Sequence, residues 1–268
     1  MQRPRPQPEP VRRAAIVSHG RPGTLGDALT RVQERADAAG VELVDVGTPD
    51  TDLILALGGD GTMLRALRAT LGRPTPVFGV RYGRVGFLTS AERDQLETAL
   101  ERVFAGDFRV VELCTLAAHL ECETHAAIND VVITSSEPGR MVELGWEIAG
   151  EELGEQRCDG VICCTPTGST AYNLSNGGPV MMWGLDAMAM TFVAPHSLHA
   201  RPLVVPRGLN LRVTNRTADR QVTALVDGHI VGELAAEGPL EVGLGPEFCR
   251  LALLPEVTFF TRYHNVFP

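Results

Sequence analysis

The 268-residue chain has no lysine: all 24 of its Lys+Arg positions are arginine. That excludes chemistry built on a lysine amine, namely Schiff-base aldolases, pyridoxal-phosphate enzymes, Walker-A P-loops and lysine-dependent protein kinases. CxxC spacing is also missing. The six cysteines (Cys114, Cys122, Cys158, Cys163, Cys164 and Cys249) have no paired histidines, which argues against zinc. They read as reduced thiols packed as small hydrophobes in a cytoplasmic chain. No apolar run reaches membrane-spanning length. The Pro-, Gln- and Arg-rich start has no apolar signal-peptide centre, so residues 1–12 read as a loose tail. A basic face is lacking too: the net charge is −9 and the isoelectric point about 5.3, so nucleic acid is not the expected partner.

With 44% hydrophobic and 21% charged residues, a packed core is within reach. Two textures follow each other. From Ala14 short apolar runs alternate with helical patterns: strands at Ala14 to Val17, Val41 to Val46, Asp52 to Leu57 and Pro76 to Val80. Helices are expected over Thr24 to Ala39 (stopped by Gly40), through Met63, Leu64, Leu67 and Leu71, and over Glu92 to Phe104. Such alternation predicts an open, Rossmann-like α/β domain over residues 13–106. After Phe108 the apolar runs are short and frequently interrupted: Val110 to Leu113, Ala126 to Ile133, Val142 to Ile148, Val161 to Cys164, Leu209 to Val213 and Val222 to Val226. They predict a β-rich, sandwich-like domain over 107–268, its last ~15 residues expected to pack back on the first domain. The one helical candidate in this stretch starts near Thr170 to Ser175.

Two motifs carry chemistry. Gly58-Gly59-Asp60-Gly61-Thr62 lies where a buried strand meets a helix, the place where open α/β sheets bind ligands. Its glycines allow positive φ and a close approach of phosphate, and the helix amides favour an anion. A carboxylate there makes sense if Asp60 orients a hydroxyl or holds a divalent metal; the plainer alternative is an aspartate N-cap. Arg65 lies close enough along the helix to reach a phosphate. GGDG resembles the core of phosphofructokinases, of diacylglycerol and sphingosine kinases, and of NAD kinases, all of which move a phosphoryl group to a hydroxyl. The second motif is Thr165-Pro166-Thr167-Gly168-Ser169-Thr170-Ala171-Tyr172-Asn173-Leu174-Ser175. It is dense in hydroxyls, follows an apolar strand, and adds a ring for a flat base and helix-start amides. That combination suits a nucleotide better than a lipid.

Together with Gly79 to Leu88 (GVRYGRVGFL), Asn129-Asp130 within INDVVI, and Pro195 to Pro206 (PHSLHARPLVVP), these motifs make the chain resemble bacterial NAD kinases from about Ala14 to Arg262. The resemblance implies phosphoryl transfer from ATP or polyphosphate to the adenosine ribose 2′-hydroxyl of NAD, producing NADP. It implies a divalent metal ion, by expectation Mg²⁺, and a homo-oligomer, dimer or tetramer, with NAD near a subunit interface. No membrane is expected as a partner.

Carried over by position, it makes Asp60 the catalytic carboxylate. Gly61 and Arg65, Asn129 and Asp130, Arg140 and Arg157, Asp159, and Thr170, Ala171, Tyr172, Asn173, Leu174 and Ser175 would bind the substrate. His229 stands where the family usually has the Gln of Asp-Gly-Gln, and Val180 to Met188 departs from the usual pattern after GGP. The lipid-kinase relatives and a non-catalytic dinucleotide-binding protein on the same scaffold are the alternatives. With no lysine, cationic help for phosphates falls to Arg65, Arg140, Arg157, Arg81 or Arg84, to backbone amides, or to metal. Any neutral-pH dependence would trace to histidine, His229 first.

Overall fold

The computed structural model describes residues 9–18, 25–83, 86–137 and 139–267. The chain divides into two compact units, Met1–Glu112 with Phe248–Pro268, and Leu113–Glu247. Thr24, Arg84 and most of the N-terminal tail fall outside the described residues.

In the first unit the elements run β1 (Arg13–Ser18), α1 (Ala28–Ala39), β2 (Glu42–Val44), β3 (Leu53–Gly58), α2 (Asp60–Ala69), β4 (Val77–Arg81), β5 (Ala91–Glu92) and α3 (Leu96–Phe104). A parallel sheet is ordered β4-β3-β1-β2. All six residues of β3 are buried, as expected for a central strand covered on both faces. Its side chains alternate between faces. Leu53, Leu55 and Leu57 join Val32, Ala36, Leu96, Leu100 and Val103 of α1 and α3 in one core. On the other face Met63 of α2 presses on Gly79 so closely that a Cβ there would meet its sulfur at 2.4 Å. Helix α1 begins at Ala28, after Gly26, which is left-handed at φ 54°; the expected start at Thr24 lies outside the described residues. It ends where expected, with Gly40 left-handed at φ 69° and its N–H on the Ala36 and Asp37 carbonyls. The Glu92-to-Phe104 helix is split into a 3₁₀ turn at Arg93–Gln95, capped reciprocally by Glu92 and Gln95, and α3.

The second unit contains β6 (Arg109–Leu120, which starts in the first unit), β7 (Glu123–Ala127), β8 (Asp130–Ser135), β9 (Val142–Ile148), β10 (Glu151–Cys158), β11 (Gly160–Cys164) and the single-turn helix α4 (Tyr172–Ser175). There follow β12 (Ala187–Val193), β13 (Leu203–Pro206), β14 (Leu211–Asn215), β15 (Val222–Val226), β16 (His229–Leu234) and β17 (Pro239–Leu253), whose last residues belong to the first unit and pair with β4 there. One antiparallel sheet is ordered β13-β12-β11-β8-β15-β16; the other runs β10-β9-β14-β17. Alternate residues of both, including Val131, Ile133, Val161, Met190 and Phe192 against Leu144, Leu211, Val213 and Val242, form one core, the layering of a β-sandwich.

The chain ends on α5 (Phe259–Val266), in the first unit, capped by Thr258. The expectation of a single helical candidate after Phe108 is therefore corrected. Helix α5 has no residue buried as a whole and Val266 is its single aliphatic position, the other apolar ones being aromatic, so it carries little of the aliphatic periodicity that marks a helix in sequence. Among the described residues, no helix is long and apolar enough to cross a membrane.

Candidate active site

In the sheet of the first unit, β2 lies on one side of β1 and β3 on the other, so the strand order reverses at β1 and β3. Open α/β sheets bind ligands beyond the carboxyl ends of such a pair. Those ends are Ser18 and Gly58. Of the two things expected of the glycines there, positive φ is not used. Gly58, Gly59 and Gly61 all avoid positive φ. A Cβ on Gly58 would meet Thr62 Oγ1 at 2.2 Å, whereas one on Gly59 or Gly61 would meet nothing within 4 Å. Gly58 thus allows the helix to close on the strand, and the other two leave bare backbone facing open space.

Asp60 is the first residue of α2, not its cap; Gly59 holds the cap position. Its carboxylate turns away from its own helix and accepts the Phe87 N–H at 2.8 Å on Oδ2 and the Leu88 N–H at 3.1 Å on Oδ1. Gly86 makes room for it, since a Cβ there would meet Oδ1 at 2.2 Å. One N–H per oxygen leaves each with a further lone pair for a substrate hydroxyl. The arrangement is a pre-oriented carboxylate at a ligand-binding strand end. Arg65 is exposed and donates to the Ser18 carbonyl at 2.9 Å, which puts a guanidinium on the same pair of strand ends. Arg81, beside Gly58 in register, is paired with Glu92 at 2.6 Å.

In the second unit the organising group is Asp227, at the tip of the β15–β16 hairpin. Its φ of 47°, followed by Gly228 at 80°, makes the two-residue turn that Asp-Gly favours. Its carboxylate accepts the N–H groups of Ile128 at 3.0 Å, Asn129 at 2.7 Å and Asp130 at 3.2 Å. That is why the apolar run from Ala126 to Ile133 is two strands and not one. Thr165 completes the knot: its Oγ1 donates to the Ile128 carbonyl at 2.6 Å and its N–H to the Asn129 carbonyl at 2.9 Å. Gly168 packs on Asn129 so closely that a Cβ would meet the carbonyl oxygen at 2.1 Å.

Asn129 Oδ1 and Thr167 Oγ1 are buried without a partner among the described residues. Buried polar atoms of this kind cost about 1–3 kcal/mol, so a polar ligand group gains most by meeting them. Asp130 is also buried, and burial together with the Asp227 charge raises its carboxyl to about 6.

The Thr/Ser-rich segment is only partly a surface. The helix after it has four residues, so the expected array of helix-start amides is not present. Asn173 is fully buried; its Oδ1 accepts from Thr191 Oγ1 at 2.7 Å and its Nδ2 donates to the Pro179 carbonyl at 3.1 Å. Ser169 Oγ, also buried, accepts the Met181 N–H at 2.9 Å. These two pin the segment, and what it presents outward is Tyr172 and Ser175, with Thr170, Ala171 and Leu174 half-buried. His229 is exposed beside the Asp227 turn.

Asp159, Arg157 and Arg140 are elsewhere. Strands β8 and β11 pair Asp130 with Cys164 at one end and Thr134 with Gly160 at the other. Asp159 is therefore four to five residues away along the strand, roughly 13–17 Å from the Asp130 end. Asp159 and Arg140 are exposed, and Arg157 leans on Glu143 at 3.2 Å.

The residues 27–108 match the family model of the ATP-NAD kinase N-terminal domain, and residues 128–253 that of the C-terminal domain. The NAD kinase of Heliobacterium modesticaldum is 39% identical over 94% of this chain and 90% of its own length. The chain belongs to the NAD kinase family. The NAD kinase of Gemmatimonas aurantiaca is also 39% identical, over 81% of this chain and 78% of its own. The NAD kinase of Archaeoglobus fulgidus, solved in complex with ATP, superposes with a TM-score of 0.77 at 27% identity, covering 95% of this chain and 97% of that one. Yeast NADH kinase, solved with NADH, shares the fold at a TM-score of 0.85 and 22% identity, covering 96% and 88%. This is an enzyme, a kinase.

Three groups of this NAD kinase escaped sequence reasoning. Asp227 stood in the sequence only as the first residue of the triplet that ends in His229, since its partners are 97 to 99 positions away. The amides of Phe87 and Leu88 lie inside GVRYGRVGFL, and the glycine before them was the available signal. Arg262, on α5, belongs to a helix that the periodicity did not reveal.

Proposed function

We propose that this NAD kinase transfers the terminal phosphoryl group of ATP or polyphosphate to the adenosine ribose 2′-hydroxyl of NAD, with Asp60 as the catalytic carboxylate. The observation that carries this reading is the Asp60 carboxylate, fixed by the Phe87 and Leu88 amides at the end of β3. A ribose hydroxyl is far less acidic than a carboxylic acid, so Asp60 orients it and takes its proton late, as the bond to phosphorus forms. Asn129, Asp130 and the outward groups of Thr170, Ala171, Tyr172, Leu174 and Ser175, with His229, bind the nucleotide. Asn173 acts by holding that segment in shape. Gly61 offers bare backbone and Arg65 a guanidinium to the donor's phosphates.

The separation of Asp159 from Asp130 along β8 and β11, with Arg157 two residues before Asp159 on β10 and Arg140 past the far end of β8, supports a homo-oligomer in which a second copy supplies these groups to the same NAD. Among the described residues, no three His, Cys, Asp or Glu side chains are grouped to hold a metal. A divalent ion such as Mg²⁺ fits as one carried mainly by the donor's phosphates and water, for which a single carboxylate such as Asp60 suffices. When bound, it neutralises phosphate charge. The Archaeoglobus fulgidus complex favours ATP as donor. A cytoplasmic location suits both substrates.

Purified protein incubated with NAD and Mg²⁺, with ATP and with polyphosphate in parallel arms, tests the donor. NADP is expected with ATP, and its appearance with polyphosphate alone extends the donor range. No NADP in either arm overturns the reading.

A further inference from the structure

The chain has no lysine, yet a phosphoryl group in transit needs positive charge close to it. Helix α5 packs on the loop that holds Asp60: the ring of Phe87, whose amide bonds Asp60, lies 5.6 Å from Phe259 and 6.0 Å from Phe267. Arg262 is three residues after Phe259, hence on the same helix face, turned towards that loop.

The Arg262 Nε is buried, and the side chain has neither a hydrogen bond nor an ion pair among the described residues. This sets it apart. Arg109 and Arg216 also have a buried Nε without an acceptor, but Arg109 donates from Nη2 to the Val257 carbonyl and Arg216 from Nη1 to Glu237. Burial lowers the proton affinity of Arg262; Glu92 raises it, Arg81 opposes it, and Asp60 adds to it, so Asp60 is an electrostatic neighbour. An arginine remains charged through such changes. A guanidinium that is half-buried, with its Nε out of water and no acceptor, gains from an anion.

We propose that Arg262 is a catalytic residue that binds the phosphoryl group in transit beside Asp60. In this step the ribose oxygen forms a bond to the terminal phosphorus and the bond from phosphorus to the donor's bridging oxygen breaks. The bonding pair leaves with the donor, the hydroxyl proton passes to Asp60, and Arg262 donates N–H to the non-bridging oxygens. The inference rests on the reading of Asp60 above.

Its test is Arg262→Met beside Asp60→Asn, with turnover at saturating NAD and ATP, NAD affinity by calorimetry, and melting temperature. For Arg262→Met the expected result is a fall in turnover of at least about a hundredfold, within the range seen when one stabilising donor is lost. NAD affinity should be retained, and added guanidinium should recover at least about tenfold by refilling the charge. Turnover within threefold of wild type overturns the proposal. So does a loss that guanidinium does not rescue, since that is the mark of a structural role. If Arg262→Met does not fold, Arg262→Gln, which keeps a donor and removes only the charge, is judged by the same criteria. Loss in Arg262→Met with none in Asp60→Asn overturns the Asp60 reading, whereas the reverse overturns only the role of Arg262.

Discussion

Replacing Asp227 with Asn tests whether one carboxylate organises the nucleotide half of the enzyme. Asparagine tolerates the left-handed backbone at φ 47°, so the turn itself survives. What changes is the charge and the count of acceptors. Three N–H groups, from Ile128, Asn129 and Asp130, converge on the carboxylate at 2.7–3.2 Å. Hydrogen bonds to a charged group are worth about 1.5–3 kcal/mol and neutral ones about 0.5–1.5; two bonds weaken to neutral ones and the N–H that faces the amide Nδ2 loses its acceptor, a loss of at least about 3 kcal/mol together. Part is returned, because the Asp227 charge helps to raise the Asp130 carboxyl to about 6, and removing it makes Asp130 easier to ionise. A net loss of about 2 kcal/mol should lower Tm by roughly 4–8 °C for a chain of this size. Asn129 shifts with its amide, so the KM for NAD should rise about tenfold, equivalent to 1.4 kcal/mol. Differential scanning calorimetry and steady-state kinetics measure both. A Tm within 1 °C of wild type (roughly the error of such a shift) together with an unchanged KM refutes the reasoning.

The remaining predictions concern other parts of the molecule. Asp130 is protonated in the folded chain up to about pH 6 but ionises earlier when unfolded, so stability should fall as pH rises from about 4 to about 6 and then level off, by at most about 3 kcal/mol. Urea titrations of Asp130→Asn should lose that component, and a wild-type-like pH profile in the variant counts against the assignment. Asn173→Ala leaves Thr191 Oγ1 without its acceptor and opens space beside Gly178, so it should cost about 2–4 kcal/mol and weaken NAD binding through the segment it pins; unchanged urea unfolding argues against that role. Burial pushes Cys158 and Cys163 up to about 12 and Cys114 to about 11, so a thiol reagent on the native protein should label Cys122 alone, with all six labelled after denaturation.

Much of the fold was legible because buried parallel strands and amphipathic helices write their period locally. Leu53–Gly58 is an apolar run, and Val142–Ile148 and Val222–Val226 occupy the expected residues. Polar edge strands such as Glu151–Cys158 were not, since five of its eight residues are exposed and carry no alternation. The two motifs drew attention to two stretches of chain, but not to what each residue does physically within them. The glycines of GGDGT were expected to supply positive φ and room for close approach to the backbone; none has positive φ, Gly58 permits close packing, and Gly59 and Gly61 leave the backbone bare. Histidine was the expected source of neutral-pH dependence, and Asp130, which burial and a neighbouring charge move to about 6, is a further titrating group that local pattern did not show. Burial and a carboxylate some hundred residues away cannot be read from local pattern. The same holds for Asp227, whose hydrogen-bond partners are remote in sequence.

The central claim is that Asp60, held by the Phe87 and Leu88 amides, positions the hydroxyl that receives the phosphoryl group. Asp60→Asn tests it most directly, measured as NADP formed per second at saturating NAD and ATP with NAD affinity determined alongside. The account predicts a fall of at least about a hundredfold in turnover, the scale of a lost general base, with NAD affinity retained. Turnover near that of the wild type contradicts it.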